Sequence, residues 1–351
     1  MTRRVWPVRR RPAPDDLPAD PFPAEPEDPP PPTPPPPRSR VTLPALRLAA
    51  LGLALVLTIA ITMVRLFVGG SPSVEELRAR AGVDGWTTLS IGVKDDQPGT
   101  AFHNENGTWT GFDIDIAYMI AEDLGLRRGE VRFYAMESED RARMQATDAG
   151  GKRVPVQMVI ASYSITAARE ARDEVTFSQP YLFTEQSVLT LAGHPKVSTF
   201  GNLKGRDVCS LSTATSESEP KNAGAIMHSR NRISECIEDL RAKRVDAVTT
   251  DAAILAGFKA ESPEEFAHWD LGLDATEAWG VNVGENKDLA TLVDLTLYRS
   301  LKDPRDDRWE IAYENNLQAE VPANGRTPIA QAQQPAVTKP DVREQPWEDV
   351  I

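Results

Sequence analysis

The side chains able to do chemistry are few and far apart. Cys209 and Cys236 are the only cysteines in 351 residues. They can join as a disulfide or remain two buried thiols, and without histidines clustered beside them they make no zinc site. The four histidines, His103, His194, His228 and His268, are scattered. No nucleophile stands beside a base in the pattern that covalent catalysis needs. What remains is charge recognition. Arg169 and Arg172 carry planar forks suited to a carboxylate, and Asp251 is an anionic partner for a cation. On residues alone, Arg169 reads as a surface helix arginine and Asp251 as a helix N-cap.

The elements that must position these groups alternate between strand and helix. Thr88–Val93 has the pattern of an opening strand, and residues 94–108 read as loop. Phe112–Leu124 has helical spacing, with Ile116, Met119, Ile120 and Leu124 on one side. Asp113 and Asp115 lie in its first turn, where carboxylates suit the helix dipole, and Gly125 is a natural stop. Val131–Met136 reads as a strand, Glu139–Ala146 as a helix and Val154–Ala161 as a buried strand. Strands follow at 187–192, 206–210, 247–250 and 279–283, with helices at 234–243, 251–259 and 287–301. This alternation predicts an α/β protein with largely parallel sheets.

The ends differ from this middle. Fifteen of the 29 prolines precede residue 38, and Pro29–Pro37 is interrupted only by Thr33. Residues 1–43 have almost nothing apolar to bury and are expected to be a disordered tail. Residues 319–351 lack apolar periodicity and are expected to be a second one. Leu48–Val64 holds 17 residues without a charge, about 25 Å of helix, and the apolar residues that follow extend it, predicting a transmembrane helix over 44–69. Arg47 and Arg65 flank it, and the arginines lie mostly on the N-terminal side, which places the N-terminus in the cytoplasm. Residues 70–85 read as linker. A cleaved signal peptide is the alternative, with Val68-Gly69-Gly70 as its cleavage site, although about 47 residues ahead of the span are many for one. No cysteine lies near the span to carry a lipid anchor. The net charge of −13 without a basic stripe argues against a nucleic-acid partner. If residues 86–318 lie outside the cell, Cys209 and Cys236 are expected to be bridged, closing a loop of about 28 residues worth roughly 3–4 kcal/mol in the chain-entropy picture.

Five segments, SIGVKDDQPG (90–99), TGFDIDIAYMIAEDLG (110–125), IASYSITAAREARDEVTFSQPYL (160–182), VCSLSTATSES (208–218) and VDAVTTDAAIL (245–255), keep the order and spacing of another group of proteins. In them the chain resembles the extracellular solute-binding proteins for polar amino acids, family 3. The cysteine pair and the YSIT and TTDAAIL wording look most like the glutamate/glutamine branch of actinobacteria. The resemblance covers about residues 86–318 and implies a type II periplasmic-binding-protein fold. Its two lobes close about a hinge, lobe one over about 86–185 and 280–318, lobe two over about 186–279.

The resemblance also implies a site for a free amino acid, whose ammonium, carboxylate and side chain must each find a partner. Arg169, in Ile165–Arg169, matches the family arginine for the α-carboxylate. The strand at Phe177 arrives about two residues later than usual, which leaves Arg172 as the other choice. Asp251 matches the aspartate for the ammonium. Ser162 and Ser164 match positions whose carbonyl and hydroxyl meet the ammonium and carboxylate. Thr215 matches a lobe-two turn that reaches the carboxylate, with Thr213 where that turn normally carries glycine. Lys94 and Gln97 lie on the loop that contacts ligand side chains, and Arg141 matches an arginine able to meet a distal carboxylate. An inward Arg141 or Lys94 favours glutamate or aspartate; if both face water, glutamine or asparagine is favoured. Trp109, Tyr163 and Trp279 are candidate apolar walls. No cofactor or metal is implied.

Three functions follow in different classes. One is the substrate-binding component of an ABC amino-acid transporter, partnered by a permease. Another is an amino-acid sensor that signals through the tether to a membrane partner, or to the cytoplasmic serine/threonine kinase system with which some receptors of this branch are thought to act. The third is an enzyme, since small dehydratases resemble the same fold; they have no need of an Arg169–Asp251 pair.

Overall fold

The structure, a computed structural model, describes residues 43–67, 70–272 and 276–343. The described residues fall into two units, one ending at residue 67 and the other beginning at residue 70. The proline-rich tail expected before residue 43 lies outside the described residues. In the first unit, α1 (Leu43–Phe67) is one continuous helix. Residues 43–64 have a mean hydropathy of 2.2 and expose their apolar side chains. This helix is long and apolar enough to cross a membrane.

The second unit begins earlier than the sequence suggested. Residues 70–85, expected to be linker, contain α2 (Val74–Ala81). Its capping box is complete, with the Ser73 hydroxyl accepting from the Glu76 N–H at 3.2 Å and the Glu76 carboxylate accepting from the Ser73 N–H at 3.0 Å. Leu77, Ala81 and Val83 are buried in the main core. Leu77 and Ala81, four residues apart, share one face of α2, and Val83 follows just beyond its Gly82 cap; these anchors fold the segment back onto the domain.

Lobe one then builds β1 (Leu89–Val93), β2 (Asp96–Gln97), β3 (Ala101–His103), β4 (Trp109–Thr110), α3 (Phe112–Asp123), β5 (Val131–Ala135), β6 (Gln145–Thr147), β7 (Arg153–Pro155), β8 (Met158–Val159) and α4 (Ala167–Glu170). Its sheet runs β7-β6-β5-β1-β8. Strand β1 is buried at Leu89, Ile91 and Val93 and pairs in parallel with β5 and β8, while β6 joins antiparallel. The helix expected at 139–146 is instead a 3-10 turn at Ser138–Asp140 followed by β6. Its acids turn to neighbours: Asp140 pairs with Arg143 and Arg153. Gln97 sits on β2, in a small antiparallel meander with β3 and β4.

The chain crosses to lobe two on β9 (Leu182–Leu191). It continues through β10 (Asp207–Leu211), α5 (Ser218–Asn222), β11 (Ile226–Arg230), α6 (Ile233–Arg241), β12 (Ala247–Asp251), α7 (Ala252–Glu261) and β13 (Phe266–Asp270). It returns on β14 (Thr276–Trp279), which pairs antiparallel with the first residues of β9, from Thr276↔Glu185 to Trp279↔Leu182. Two antiparallel strands therefore link the lobes. The second sheet runs β11-β10-β12-β9-β13, parallel at β10 but antiparallel at β9. Both sheets are mixed: the first because β6 and β7 add antiparallel to β5, the second because β9 enters from the other lobe rather than through a crossover helix. The expected strand at 279–283 ends as β14 at Trp279, with isolated bridges from Asn282 beyond it. Cys209 on β10 is bridged to Cys236 on α6, Cα atoms 5.5 Å apart, wholly within lobe two.

Lobe one is completed by α8 (Lys287–Lys302) and α9 (Arg308–Asn316). The disordered tail expected from residue 319 is overturned as far as residue 343. After α10 (Val321–Asn324), the chain runs as an ordered strap. The Asn324 amide donates to Ala256 O in lobe two, Gln331 N–H to Phe183 O at the crossover, and the Gln334 amide to Leu297 O in lobe one, at 3.1, 2.9 and 2.9 Å. Ile329, Val337 and Val342 are buried. The strap is held by isolated hydrogen bonds to backbone carbonyls and single apolar anchors, which leave no periodic pattern.

Candidate functional site

Where the lobes meet, one small cavity is lined by Gln97, Arg141, Ser162, Ser164 and Arg169 from lobe one. Lobe two contributes Leu211, Ala214, Thr215, Thr250, Asp251 and Ile254. About 10 Å³ is left inside, room for roughly one water. Seven of the eight residues singled out in the sequence meet here. Lys94 does not: it lies one layer behind, buried, with Nζ donating to Ser138 Oγ at 2.8 Å. Burial, then the charge of Arg141, pulls its ammonium down to about 7.

Arg169 is placed by a short capped helix. Thr166 caps α4 by accepting the Arg169 N–H. The Arg169 guanidinium donates to Ser164 O at 2.6 Å and, across the lobe boundary, to Thr213 O at 2.9 Å. Arg172 instead pairs with Glu174 at the surface, so geometry selects Arg169. Thr213 holds φ at +60°, the left-handed conformation that glycine adopts freely and a threonine only at a cost of roughly 1–2 kcal/mol.

Arg141 follows the 3-10 turn and is buried. Its Nε donates to Ser138 O at 3.1 Å, and Nη1 to the carbonyls of Ala161 and Ser162 at 3.3 and 3.2 Å. Its own carbonyl is fixed by the Asn282 amide at 2.9 Å. Burial, then the Arg169 charge, brings this guanidinium down to about 10. Ser162 also has a positive φ, +46°. That turn is pinned by Asp113, whose carboxylate accepts from the Ser162 N–H and the Tyr181 hydroxyl, each at 2.9 Å. The Ser162 hydroxyl donates to the Gln97 side-chain amide oxygen, Oε1, at 2.9 Å. Burial raises Asp113 to about 6. The sequence marks Asp113 only as an acid in the first turn of its helix; its support of the site is not legible there, because only the fold brings residues 113, 162 and 181 together.

Asp251 ends β12 and stands at the N-cap position of α7, but its side chain makes no capping bond. It accepts from the Trp279 indole N–H at 2.6 Å instead. Burial first, and the nearby Glu277 charge second, raise it to about 7. Of the expected apolar walls, Tyr163 packs against Arg141 and Arg169, Trp279 serves Asp251, and Trp109 stacks on His103 away from the cavity. Leu211, Ala214, Thr250 and Ile254 were not singled out; they fall within motifs whose charged or hydroxyl members drew the attention.

Chemically the cavity offers one buried guanidinium, Arg141, one half-buried guanidinium, Arg169, one aspartate and several hydroxyls and carbonyls, with no nucleophile activated by a base. Among the described residues there is no group of three histidines, cysteines or acids able to hold a metal.

Residues 89–304 match the family described as bacterial extracellular solute-binding proteins, family 3. The chain is 29% identical over 214 residues to the glutamate-binding protein GluB of Corynebacterium efficiens, covering 58% of this chain and 70% of that one. It is 31% identical over 186 residues to the GluB of Corynebacterium glutamicum, covering 51% and 60%. Among solved structures, an ancestral arginine-binding protein bound to glutamine aligns with a TM-score of 0.56 and 29% identity, covering 66% of this chain and 97% of that one.

Proposed function

The chain belongs to the bacterial extracellular solute-binding proteins, family 3, and from that membership we propose that it is a membrane-held extracellular receptor for an acidic amino acid, glutamate first. One observation carries this reading: Arg169 and Ser164 of lobe one and Asp251 and Thr215 of lobe two line the same cavity from opposite sides. An α-carboxylate on Arg169 and an α-ammonium on Asp251 would each engage one lobe, so a bound amino acid would tie the two together. The space left between the lobes is smaller than an amino acid, so entry needs them apart and closure follows.

Arg141 favours a second carboxylate on the ligand over a neutral amide. It lines the cavity, and among the described residues its recorded bonds use only Nε and Nη1, which leaves Nη2 to donate. Lys94 adds positive charge from behind. Glutamine, aspartate and asparagine are the competing ligands. Delivery to an ABC permease is the role proposed, in keeping with a relative named as an ABC transporter glutamine-binding protein. The helix α1, with 42 residues ahead of it, favours a second reading, a sensor that signals to a membrane or kinase partner. In both readings α1 is the anchor, the N-terminus is cytoplasmic, and the chain binds without catalysing.

Calorimetry on the portion from Ser71 onward, titrated with each of the twenty amino acids, tests the receptor reading. Glutamate is expected to bind in the micromolar range or tighter; no amino acid binding below about 1 mM, about 4 kcal/mol of binding energy, would refute it. Co-purification of the full chain with a permease or with a kinase-linked membrane protein separates the two roles.

A further inference from the structure

Away from the cavity, the lobes touch along a rim with a consistent polarity: lobe one supplies carboxylates and lobe two supplies donors. Asp95 accepts from Arg232 Nη1 at 2.9 Å, and Asp96 from the Ser234 backbone N–H at 2.9 Å. Glu139 accepts from the Ser212 hydroxyl at 2.8 Å, and Glu137 from the Asn231 amide at 3.4 Å. None of these residues lines the cavity.

The Asp96 contact is the most informative. Helix α6 begins with Arg232 at its N-cap, and Arg232 makes no capping bond. An arginine has no acceptor to offer the first N–H groups of a helix. Asp96, 138 residues away in sequence and in the other lobe, accepts the Ser234 N–H in place of a cap and is only 4% exposed. A carboxylate there also meets the positive end of the helix dipole. Asp95 beside it neutralises Arg232 itself. Closure therefore completes a helix terminus that opening leaves to water. Helix α6 is fastened by Cys236 to Cys209 on β10, and β10 runs directly into the turn that carries Ala214 and Thr215 into the cavity.

We infer that Asp95 and Asp96 form a closure latch on the N-terminus of α6, which favours the closed state whether or not the cavity is filled and slows the escape of whatever it holds. The consequence for release rests on the receptor function proposed above; the bias toward closure does not. The latch acts on positions and populations and touches no ligand.

The test uses the full chain in nanodiscs, with spin labels attached through non-natural side chains at the exposed Glu105 of lobe one and Lys243 of lobe two. Without ligand, the wild-type distance distribution is expected to hold a closed fraction that shrinks at least severalfold in Asp96→Ala and in Asp95→Arg. The charge-swapped pair Asp95→Arg with Arg232→Asp is expected to regain much of it. With glutamate, the off-rate of Asp96→Ala is expected to rise about tenfold with little change in on-rate, and that of Asp96→Asn less, because the amide still accepts. Ligand-free distributions that match wild type in all variants overturn the latch, as does a wild-type chain with no closed fraction. A wild-type chain that binds no amino acid refutes the receptor reading alone, since the ligand-free distances still decide the latch.

Discussion

Arg141 and Arg169 share one aromatic ring: each guanidinium carbon lies 4.5 Å from the centroid of Tyr163. Cation–π contact with a ring only 4% exposed fixes both forks without consuming their N–H groups. Their hydrogen bonds differ in kind. Arg169 reaches into both lobes, through Ser164 O and Thr213 O, whereas Arg141 bonds only to carbonyls of lobe one. Two like charges held around one ring disfavour each other, and an anion between them relieves that repulsion. A ligand with two carboxylates can satisfy both.

Arg169→Ala is therefore expected to weaken every amino-acid ligand by several kcal/mol, because it leaves an α-carboxylate unpaired in a closed site. Arg141→Ala should be selective. Glutamate is expected to lose about 2 kcal/mol, roughly thirtyfold, and glutamine much less. Parallel calorimetric titrations of the two ligands check this, and equal losses for both would remove Arg141 from the distal subsite.

Asp251 is expected to give the proposed binding a pH dependence. Its carboxyl is raised from 3.8 to about 7, so in the ligand-free closed site it gains a proton as the pH falls below about 7. An ammonium prefers the carboxylate form. Affinity should thus be highest above pH 7 and fall on acidification, by at most about tenfold per pH unit. Asp251→Asn should bind weakly and without that slope. Dissociation constants measured from pH 5 to 8.5 on both proteins test it; an acid-flat wild type would show that Asp251 is already ionised before the ligand arrives.

Much of this site was legible because its charged members sit in short motifs: Arg169 four residues after Ile165, and Asp251 between an apolar strand and an apolar helix. Thr213 was legible only as a replacement for the usual glycine, which left the path of its turn open; the structure gives it φ +60°. Other features were not legible, for physical reasons. Lys94 and Gln97 are three residues apart on one loop, yet only Gln97 reaches the cavity, a difference of side-chain direction. Asp113 and Trp279 work through partners 49 and 28 residues away. The strap beyond residue 319 uses single anchors on an otherwise polar, proline-containing chain, so composition alone reads it as tail.

The turn just ahead of α10 carries a second titrating group. Glu320 is buried where Gly99 of lobe one meets Gly257 of lobe two, and among the described residues its Oε2 has no hydrogen-bond partner. Burial, and then the charge of Glu261, raises it from 4.5 to about 9. Between those pH values the folded chain holds a proton that the unfolded chain has lost. Stability must therefore fall as the pH rises through that window, by at most about 1.4 kcal/mol per unit from this group. Glu320→Gln should flatten the slope and stabilise the domain at pH 8. Urea midpoints of the portion from Ser71 onward, at pH 5, 6.5 and 8, decide the matter, and parallel slopes in the two proteins would exonerate Glu320.

Gly257 separates closure from folding. It lies inside α7, where alanine ordinarily stabilises a helix by about 1 kcal/mol over glycine. A Cβ there would sit 2.1 Å from the backbone oxygen of Pro98, which belongs to lobe one and cannot move aside as a side chain could. In an open arrangement that collision vanishes while the helical gain remains. Gly257→Ala is accordingly expected to leave the ligand-free domain as stable as wild type or more so, and to weaken amino-acid binding by about tenfold or more through loss of the closed state. Thermal unfolding and calorimetry on the same preparation test both halves. Undiminished affinity would mean that the approach of Pro98 to α7 is not required for the bound state.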